Sequence, residues 1–368
     1  MLRKAELRVL IALHDDPIGD VNSLSKRAGV APATFVRNLK KLQADGILGS
    51  HQERGQTEGF VSAQICYSAV GLEEIAVIMS VPRKNLERVE EMCEAQPYVA
   101  YTARCLGSTN GVFATFAVPI NSSYLLFDLL DILEEKRIIG DYAYRVQANL
   151  QVSTETNFRF YNRRTGTWGF NWEDWGKTSR EEDATPELEP MRRSVLHKMG
   201  AEDLRILTQL SSNSRKEKKR IAKEIGIPGW QLSRRLAILR ANGVIDGYRI
   251  LWGPSPPNPV MQPLIDCEAP AKIKAQVACA FSKLPFQASF IPTEKGFVLN
   301  LALPASDFPK LADALLEQVG EANLMLCDHG SSIRYCFDRH KESSYRNGEW
   351  LATRDYMVDK VLRDKGLE

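Results

Sequence analysis

The hydrophobic positions of the first sixty residues repeat with the period of amphipathic helices. One apolar stripe near residue 10 predicts a first helix, and a second helix ends at Gly29, where a left-handed backbone is accessible to glycine. A third helix over 31–44 begins at Ala31-Pro32, and apolar segments near 47 and 61 predict a hairpin. Three helices and a hairpin are typical of a winged helix-turn-helix, here spanning 1–62.

A different pattern follows over residues 70–156. The order of predicted elements is strand, helix, strand, strand, helix, strand, and the four strands begin near Glu74, Val99, Gly111 and Ile138. This order is that of a ferredoxin-like α+β domain.

The whole pattern then occurs a second time. Shifted by 197 positions, residues 6–48 align without a gap on 203–245, with eleven of 43 positions identical. Gly29 falls on Gly226, so both units keep the glycine between their second and third helices. Because one register holds for so long, the sequence predicts an internal duplication.

The second copy therefore has the same two parts. A winged helix-turn-helix is predicted over 191–252, with its third helix over 228–241, and a ferredoxin-like domain over 260–337. We expect the fold class to be α+β, with two tandem copies of the pair forming a pseudo-dimer in one chain whose two sheets pack together.

Each copy ends in an aromatic tail, with an acidic linker after the first. The first tail and linker cover 157–190, and the C-terminal tail covers 338–368. The composition is that of an ordinary globular protein, and no apolar stretch is long enough to span a membrane, so we expect a cytoplasmic protein. The seven cysteines are never spaced C-x-x-C, which argues against a disulfide framework or a zinc cluster.

Positive charge concentrates in the second helix-turn-helix. Residues 192–250 carry fourteen Lys or Arg against five Asp or Glu, in a chain whose net charge is only +2. Such a basic segment is either a solvated face or the electrostatic signature of a DNA-binding module. Arginine and amide side chains on a third helix suit base edges in the major groove, and lysines suit phosphates. The predicted DNA contacts are Ala33, Thr34, Arg37, Asn38, Lys40, Lys41, Arg215, Lys216, Lys218, Lys219, Arg220, Trp230, Gln231, Arg234 and Arg235.

Residues 23–42, Ser-Leu-Ser-Lys-Arg-Ala-Gly-Val-Ala-Pro-Ala-Thr-Phe-Val-Arg-Asn-Leu-Lys-Lys-Leu, resemble the second and third helices of the Lrp/AsnC (leucine-responsive regulator) family of bacterial and archaeal transcription factors. The resemblance implies double-stranded DNA as partner, self-association through the α+β domains, and a small-molecule effector such as an amino acid. It also places a weak effector site on the loop formed by Gly107, Ser108, Thr109, Asn110 and Gly111.

These features favour a sequence-specific transcriptional regulator whose helices 31–44 and 228–241 enter the major groove. The five histidines form no H-E-x-x-H pair, and phosphate-loop and nucleophile-elbow motifs are absent. We therefore expect no enzyme, no cofactor and no metal. Two alternatives stay open: an architectural DNA-binding protein, and a tetrapyrrole enzyme similar to the siroheme decarboxylases, which resemble the same family and work as paired subunits.

Overall fold

The computed structural model describes residues 2–49, 59–178, 187–253, 255–259, 261–335, 337 and 342–367. The predicted polar turn between 52 and 58 lies outside these residues, as does Cys336. The helices, in chain order, are α1 (Lys4–Asp15), α2 (Val21–Ala28), α3 (Pro32–Ala44), α4 (Leu86–Ala95), α5 (Ser123–Glu135), α6 (Trp172–Thr178), α7 (Ala201–Asn213), α8 (Lys218–Ile225), α9 (Gly229–Ala241), α10 (Ala271–Phe281), α11 (Phe308–Val319) and α12 (Lys360–Asp364). The strands are β1 (Val61–Ile65), β2 (Leu72–Ser80), β3 (Val99–Gly107), β4 (Gly111–Pro119), β5 (Tyr142–Val146), β6 (Val152–Thr154), β7 (Tyr161–Asn162), β8 (Thr167–Trp168), β9 (Ile245–Ile250), β10 (Gln262–Glu268), β11 (Ala288–Pro292), β12 (Gly296–Leu301), β13 (Asn323–Cys327), β14 (Ile333–Arg334), β15 (Tyr345–Arg346) and β16 (Glu349–Trp350).

The two helix-turn-helix units have the predicted three helices, α1–α3 and α7–α9. The Asp20 carboxylate caps α2 by accepting from two backbone N–H groups, and Gly29 ends the helix with φ +62°. Gly226 has the same role after α8, with φ +80°. The repeat thus conserves the turn that sets the angle between the last two helices of each unit.

The hairpin predicted between the segments near 47 and 61 of the first unit does not form among the described residues. Strand β1 of the first copy pairs instead with β9 of the second copy, with Val61 opposite Ile250, and Leu48 forms a bridge with Trp252. Val61 and Ile250 are fully buried. Pairing across the copies satisfies the strand edges and buries both apolar residues between the two units, which explains why it prevails over local pairing.

The two ferredoxin-like domains share one sheet. Their strand orders, β5-β2-β4-β3 and β13-β10-β12-β11, are equivalent, and β3 pairs with β13 to join them. Strand β14 follows β13 in the chain, and both pair with β3. In the same way β6 follows β5 and pairs with β11, and a bridge joins Gln147, just after β5, to Thr293, just after β11. If each of these two interrupted strands is counted as one, every strand has two neighbours. The sheet therefore closes into a ring.

An ion pair inside the ring confirms that the sheet is rolled. Arg145 of β5 contacts Asp266 of β10 with an Nε–Oδ1 distance of 2.8 Å, although four strands separate them in the sheet. A flat sheet would hold such strands ~24 Å apart at ~4.8 Å per strand. Helices α4, α5, α10 and α11 cover the outer face, and apolar side chains of both halves fill the interior. The two sheets thus meet as one closed sheet, whereas we had expected two separate sheets packed together.

The aromatic tails are exchanged between the halves. The tail of the first copy packs on the second ferredoxin-like domain, where the Trp175 indole donates to the Ala280 carbonyl of α10 at 2.8 Å. The tail of the second copy packs on the first domain, where the Trp350 indole donates to the Val70 carbonyl at 2.7 Å. Each half therefore completes its hydrophobic core with residues from the other.

Candidate functional site

A cavity of about 140 Å³, lined by both polar and apolar side chains, lies at one end of the ring, beside the β1–β9 ribbon. Both copies contribute to its wall. The polar side chains that line it include Glu74, Tyr101, Arg249, Ser289, Asn300 and Arg334. A cavity walled by two halves of a duplicated chain, and lined by ionisable groups, is the strongest candidate for a ligand site in the part of the chain that the structure describes.

Arg249 is the buried cation of this cavity. Its position on β9 points the side chain inward, and only 4% of the residue is exposed. The guanidinium donates to Glu155 Oε1 at 3.2 Å and to the Ser153 hydroxyl at 3.3 Å. Burial, followed by repulsion from Arg334, lowers the Arg249 pKa to about 10. Such an arginine gains from any further anion that enters the cavity.

Two glutamates beside the arginines have unusual acidities. Burial raises the pKa of Glu74 to about 7, although Arg334 and Arg249 oppose the rise. Burial also raises the pKa of Glu155 to about 7, with the same two arginines opposing it. Groups with a pKa near 7 both accept and donate protons at neutral pH, as general acid–base catalysis requires.

Arg334 stands at the mouth of the cavity, because its side chain is exposed to solvent while lining the wall. Its guanidinium carbon lies 5.9 Å from the centre of the Tyr101 ring, a cation–π distance. The Tyr101 hydroxyl donates to Ser332 Oγ at 3.1 Å, and burial raises its pKa to about 12. The aromatic ring therefore holds the arginine where an incoming anion would meet it.

This arrangement is suited to a carboxylate. Arginine binds carboxylates through paired, charge-assisted hydrogen bonds, and one arginine lies at the entrance while the other lies inside. Ligands of drug size occupy ~300–1,000 Å³, so a cavity of about 140 Å³ accommodates a small acid or a single side chain of a larger molecule.

The predicted DNA face of α3 is only partly available. Ala33, Arg37 and Lys40 are exposed, and Thr34 is half-buried. Asn38 is buried, and its amide donates to the Thr34 carbonyl at 2.9 Å. Lys41 forms a 2.7 Å ion pair with the buried carboxylate of Glu6. The prediction that Asn38 is presented for base reading is wrong, because its side chain satisfies the backbone of its own helix.

The basic face of the second copy is similarly reduced. Arg215 donates to the Pro17 carbonyl of the first unit, Lys216 and Arg220 both pair with Glu224, and Arg235 pairs with Asp203. These four side chains are engaged in contacts within the protein and are less available to phosphate than their sequence suggests. Lys218, Lys219, Trp230 and Arg234 are exposed, and Gln231 is half-buried.

The predicted effector loop contributes to the junction of the two halves. The Ser108 backbone and hydroxyl both donate to the Leu324 carbonyl of β13, at 3.0 and 3.1 Å. A Cβ on Gly107 would lie 2.4 Å from that oxygen, which explains the glycine there. Thr109 is half-buried and Asn110 exposed, and Gly111 begins β4. Effector binding by this loop stays a prediction.

Sequence reasoning did not identify the cavity residues. Glu74 follows Glu73 within β2, Arg249 and Arg334 are single charges within short strands, and Glu155, the partner of Arg249, follows β6. None of them forms a recognisable motif. No alternating pattern marked Arg249 as an inward-facing position, because successive residues of its strand do not alternate in burial. Which face of that strand points into the ring depends on the pairing of β1 with β9 between the copies, and local sequence patterns do not reveal that pairing.

The described residues hold neither a metal-binding cluster nor a membrane-spanning helix. That part of the chain brings together no group of three or more His, Cys, Asp or Glu side chains able to hold a metal ion. None of its helices is both long and apolar enough to cross a membrane.

Comparison with known proteins identifies the architecture. No family model matches the sequence, and no curated protein matches it. The solved siroheme decarboxylase NirDL is similar over 98% of this chain and 99% of its own, with a TM-score of 0.51 and 15% identity. LrpC of B. subtilis aligns with 40% of this chain and 94% of its own, with a TM-score of 0.31 and 15% identity. An AsnC family regulator from Agrobacterium tumefaciens aligns with 40% of this chain and 89% of its own, with a TM-score of 0.30 and 19% identity.

The predicted fold class is therefore confirmed, since a solved protein matches the two-copy α+β arrangement over its whole length. That solved protein is an enzyme, and our expectation that this chain is not an enzyme stays a prediction. At 15% identity the likeness establishes the fold alone. The chain therefore has the two-copy α+β fold of this solved protein.

Proposed function

We propose that this chain is an enzyme that binds a tetrapyrrole carrying several carboxylates, such as siroheme, and removes CO₂ from one of its side chains. The observation that carries the proposal is a cavity lined by Arg249, Arg334 and Glu74, whose pKa is about 7, with Glu155 ion-paired to Arg249. The activity of the full-length structural match, a siroheme decarboxylase, agrees with this chemistry.

The size of the cavity restricts how such a molecule binds. A volume of about 140 Å³ excludes a macrocycle but admits one carboxylate side chain. The ring would therefore rest at the mouth, where Arg334 is exposed, and a single side chain would reach towards Arg249. This geometry selects one side chain at a time.

The residues then have separate roles in the proposed reaction. Loss of CO₂ from a carboxylate side chain requires one proton to be added to the carbon left behind. Glu74, whose pKa is about 7, is protonated in part of the molecules at neutral pH and supplies that proton. Arg334 binds and orients the substrate through a carboxylate at the mouth, and Arg249 is kept in place by Glu155.

Siroheme titration followed by product analysis tests the proposal. Binding shifts the visible absorbance of the tetrapyrrole, and anaerobic incubation followed by mass spectrometry detects the loss of CO₂. Replacing Arg334 by Ala removes one exposed charge-assisted hydrogen bond, so the Kd should rise about tenfold. Arg346→Ala removes an equally exposed arginine from the hairpin β15–β16 and should leave the Kd unchanged.

Glu74→Gln separates binding from turnover, because it should retain siroheme but lose product formation. If wild-type protein binds no siroheme, or if Arg334→Ala binds as tightly as wild type, the proposed site is wrong. Binding without product in wild-type protein would refute the enzymatic step and leave a tetrapyrrole-binding protein.

DNA binding is a second candidate function, favoured by the exposed cations of both helix-turn-helix units. Arg37 and Lys40 on the first unit, and Lys218, Lys219 and Arg234 on the second, are accessible to phosphates and base edges. Selection of bound duplexes from a random pool tests sequence-specific and architectural binding together. A motif with two unlike halves indicates a regulator, and binding without a motif indicates an architectural protein.

Substitutions distinguish DNA contact from structural contact. Arg37→Ala and Arg234→Ala should weaken duplex binding and reduce its salt dependence, whereas Asn38→Ala, at a buried position, should not change sequence preference. If neither arginine variant changes binding, the third helices do not read DNA.

A further inference from the structure

Two cysteines face each other across the junction of the two halves. In the pairing of β3 with β13, Cys105 of the first copy lies directly opposite Cys327 of the second. Both are free thiols, and 1% of Cys105 and 6% of Cys327 is exposed. Both side chains point into the ring, where they pack in the same apolar cluster.

The hydrogen bonds of this ladder show which kind of pair they form. The Asp328 N–H donates to the Arg104 carbonyl at 2.8 Å, and the Ser108 N–H donates to the Leu324 carbonyl at 3.0 Å. These bonded positions alternate with unbonded ones in an antiparallel ladder, so Cys105 and Cys327 occupy a non-hydrogen-bonded pair. In such pairs the Cα atoms lie about 4.5 Å apart and the side chains approach most closely.

That separation is within the range of disulfide geometry, which requires Cα atoms about 4.4–6.8 Å apart and Cβ vectors that converge. We propose that Cys105 and Cys327 form a disulfide site that covalently closes the junction between the two copies of the repeat. The proposal is independent of what the cavity binds.

The reaction is a thiol–disulfide exchange with a small disulfide such as oxidised glutathione. One cysteine thiolate attacks the glutathione disulfide and releases one glutathione as thiolate; the second cysteine then displaces the other. The two cysteines lose two protons and two electrons in total, one S–S bond forms between them, and oxidised glutathione becomes two molecules of reduced glutathione.

The surroundings of the two sulfurs keep this reaction slow in the folded state. Burial raises the pKa of Cys105 to about 11 and that of Cys327 to about 12. Because the thiolate is the attacking form, the folded protein should oxidise slowly at neutral pH and faster at alkaline pH. The pair is therefore expected to oxidise most readily while the chain folds, before the ring closes around it.

Refolding in a glutathione redox buffer tests the site without the barrier of burial. The full-length chain is unfolded and reduced, refolded in buffers of defined glutathione ratio, alkylated, digested and analysed by mass spectrometry. We expect the Cys105–Cys327 cross-link to be the first to form as the buffer becomes more oxidising. The cross-linked protein should unfold at higher temperature than the reduced protein, because the bond closes a loop of more than two hundred residues in the unfolded chain.

Matched variants identify the responsible thiols. Cys105→Ala and Cys327→Ala should each abolish the cross-link and the temperature shift, and Cys93→Ala, at a buried cysteine elsewhere in the first domain, should preserve both. If the refolded wild-type chain leaves Cys105 and Cys327 unlinked under oxidising conditions, or links them no more than other cysteine pairs, the proposal is wrong. A cross-link that leaves the unfolding temperature unchanged would also contradict closure of the native junction.

Discussion

Replacing Trp350 by Ala should destabilise the first ferredoxin-like domain, whose strands β2–β5 end more than two hundred residues earlier in the chain. Trp350 belongs to the tail of the second copy, but its indole donates to Val70 at 2.7 Å and packs edge-on against Tyr98, with ring centres 6.4 Å apart. Only 8% of the residue is exposed. The substitution therefore removes a large aromatic side chain from the first ferredoxin-like domain and leaves a buried carbonyl without its donor.

The size of the effect follows from these contacts. Removing a buried tryptophan costs about 3–5 kcal/mol, and the Val70 carbonyl left without a donor keeps the value above the lower end of that range. We expect a loss of about 4 kcal/mol. About 1.4 kcal/mol corresponds to a tenfold change in an equilibrium constant. Amide hydrogens that exchange only when this domain opens should therefore exchange about a thousandfold faster.

Hydrogen exchange with peptide resolution is the appropriate assay. In Trp350→Ala the faster exchange should appear in α4 and α5 of the first domain, whereas Trp175→Ala, in the other tail, should affect α10. Trp230→Ala is the control, because 67% of Trp230 is exposed and its loss should change stability by less than about 0.5 kcal/mol. If Trp350→Ala accelerates exchange only in the second domain, the exchange of tails is wrong.

Further predictions concern the ring and its cavity. Glu74 and Glu155 have pKa values of about 7 in the folded protein against an ordinary 4.5, so the folded state binds their protons more tightly. The free energy of unfolding should therefore fall as pH rises from about 4.5 to about 7. Urea titrations of Glu74→Gln should show a shallower fall. Arg145→Ala leaves the Asp266 carboxylate, which is 2% exposed, without its arginine partner inside the ring. Urea denaturation should show that the free energy of unfolding falls by about 3–5 kcal/mol, and adding Asp266→Asn should restore part of it. Gly107 has φ +143°, and a Cβ there would meet a carbonyl oxygen of β13, so Gly107→Ala should lower the unfolding temperature; an unchanged temperature would refute the close approach.

The secondary structure of each copy was predictable because it depends on local periodicity. The spacing of apolar residues predicted a third helix over 31–44, which the structure has at Pro32–Ala44, and the duplication predicted that the second half repeats the first. Arrangement across the copies was not predictable in the same way. Strand β1 has a suitable pattern for a local hairpin, and its choice of β9 depends on burial of Val61 and Ile250 that exists only after the two units meet.

The candidate site shows the same limit more strongly. Charged residues near the third helices were predicted to be surface groups, and Lys41 and Arg235 instead pair with the buried acids Glu6 and Asp203. Arg334 was not singled out at all, because its importance comes from Tyr101 and Glu74, which belong to the other copy. A site composed of both copies has no contiguous sequence signature.

Closure of the sheet within one chain has a consequence for assembly. Every strand of the ring already has two neighbours, so pairing between the two copies is intramolecular and depends on effective concentration rather than on protein concentration. Dilution cannot separate the halves. A second molecule also finds no unpaired edge of the ring on which to add a strand, so any self-association has to use the outer helices or the helix-turn-helix units. Because both copies lie in one chain, their pairing is a property of a single polypeptide.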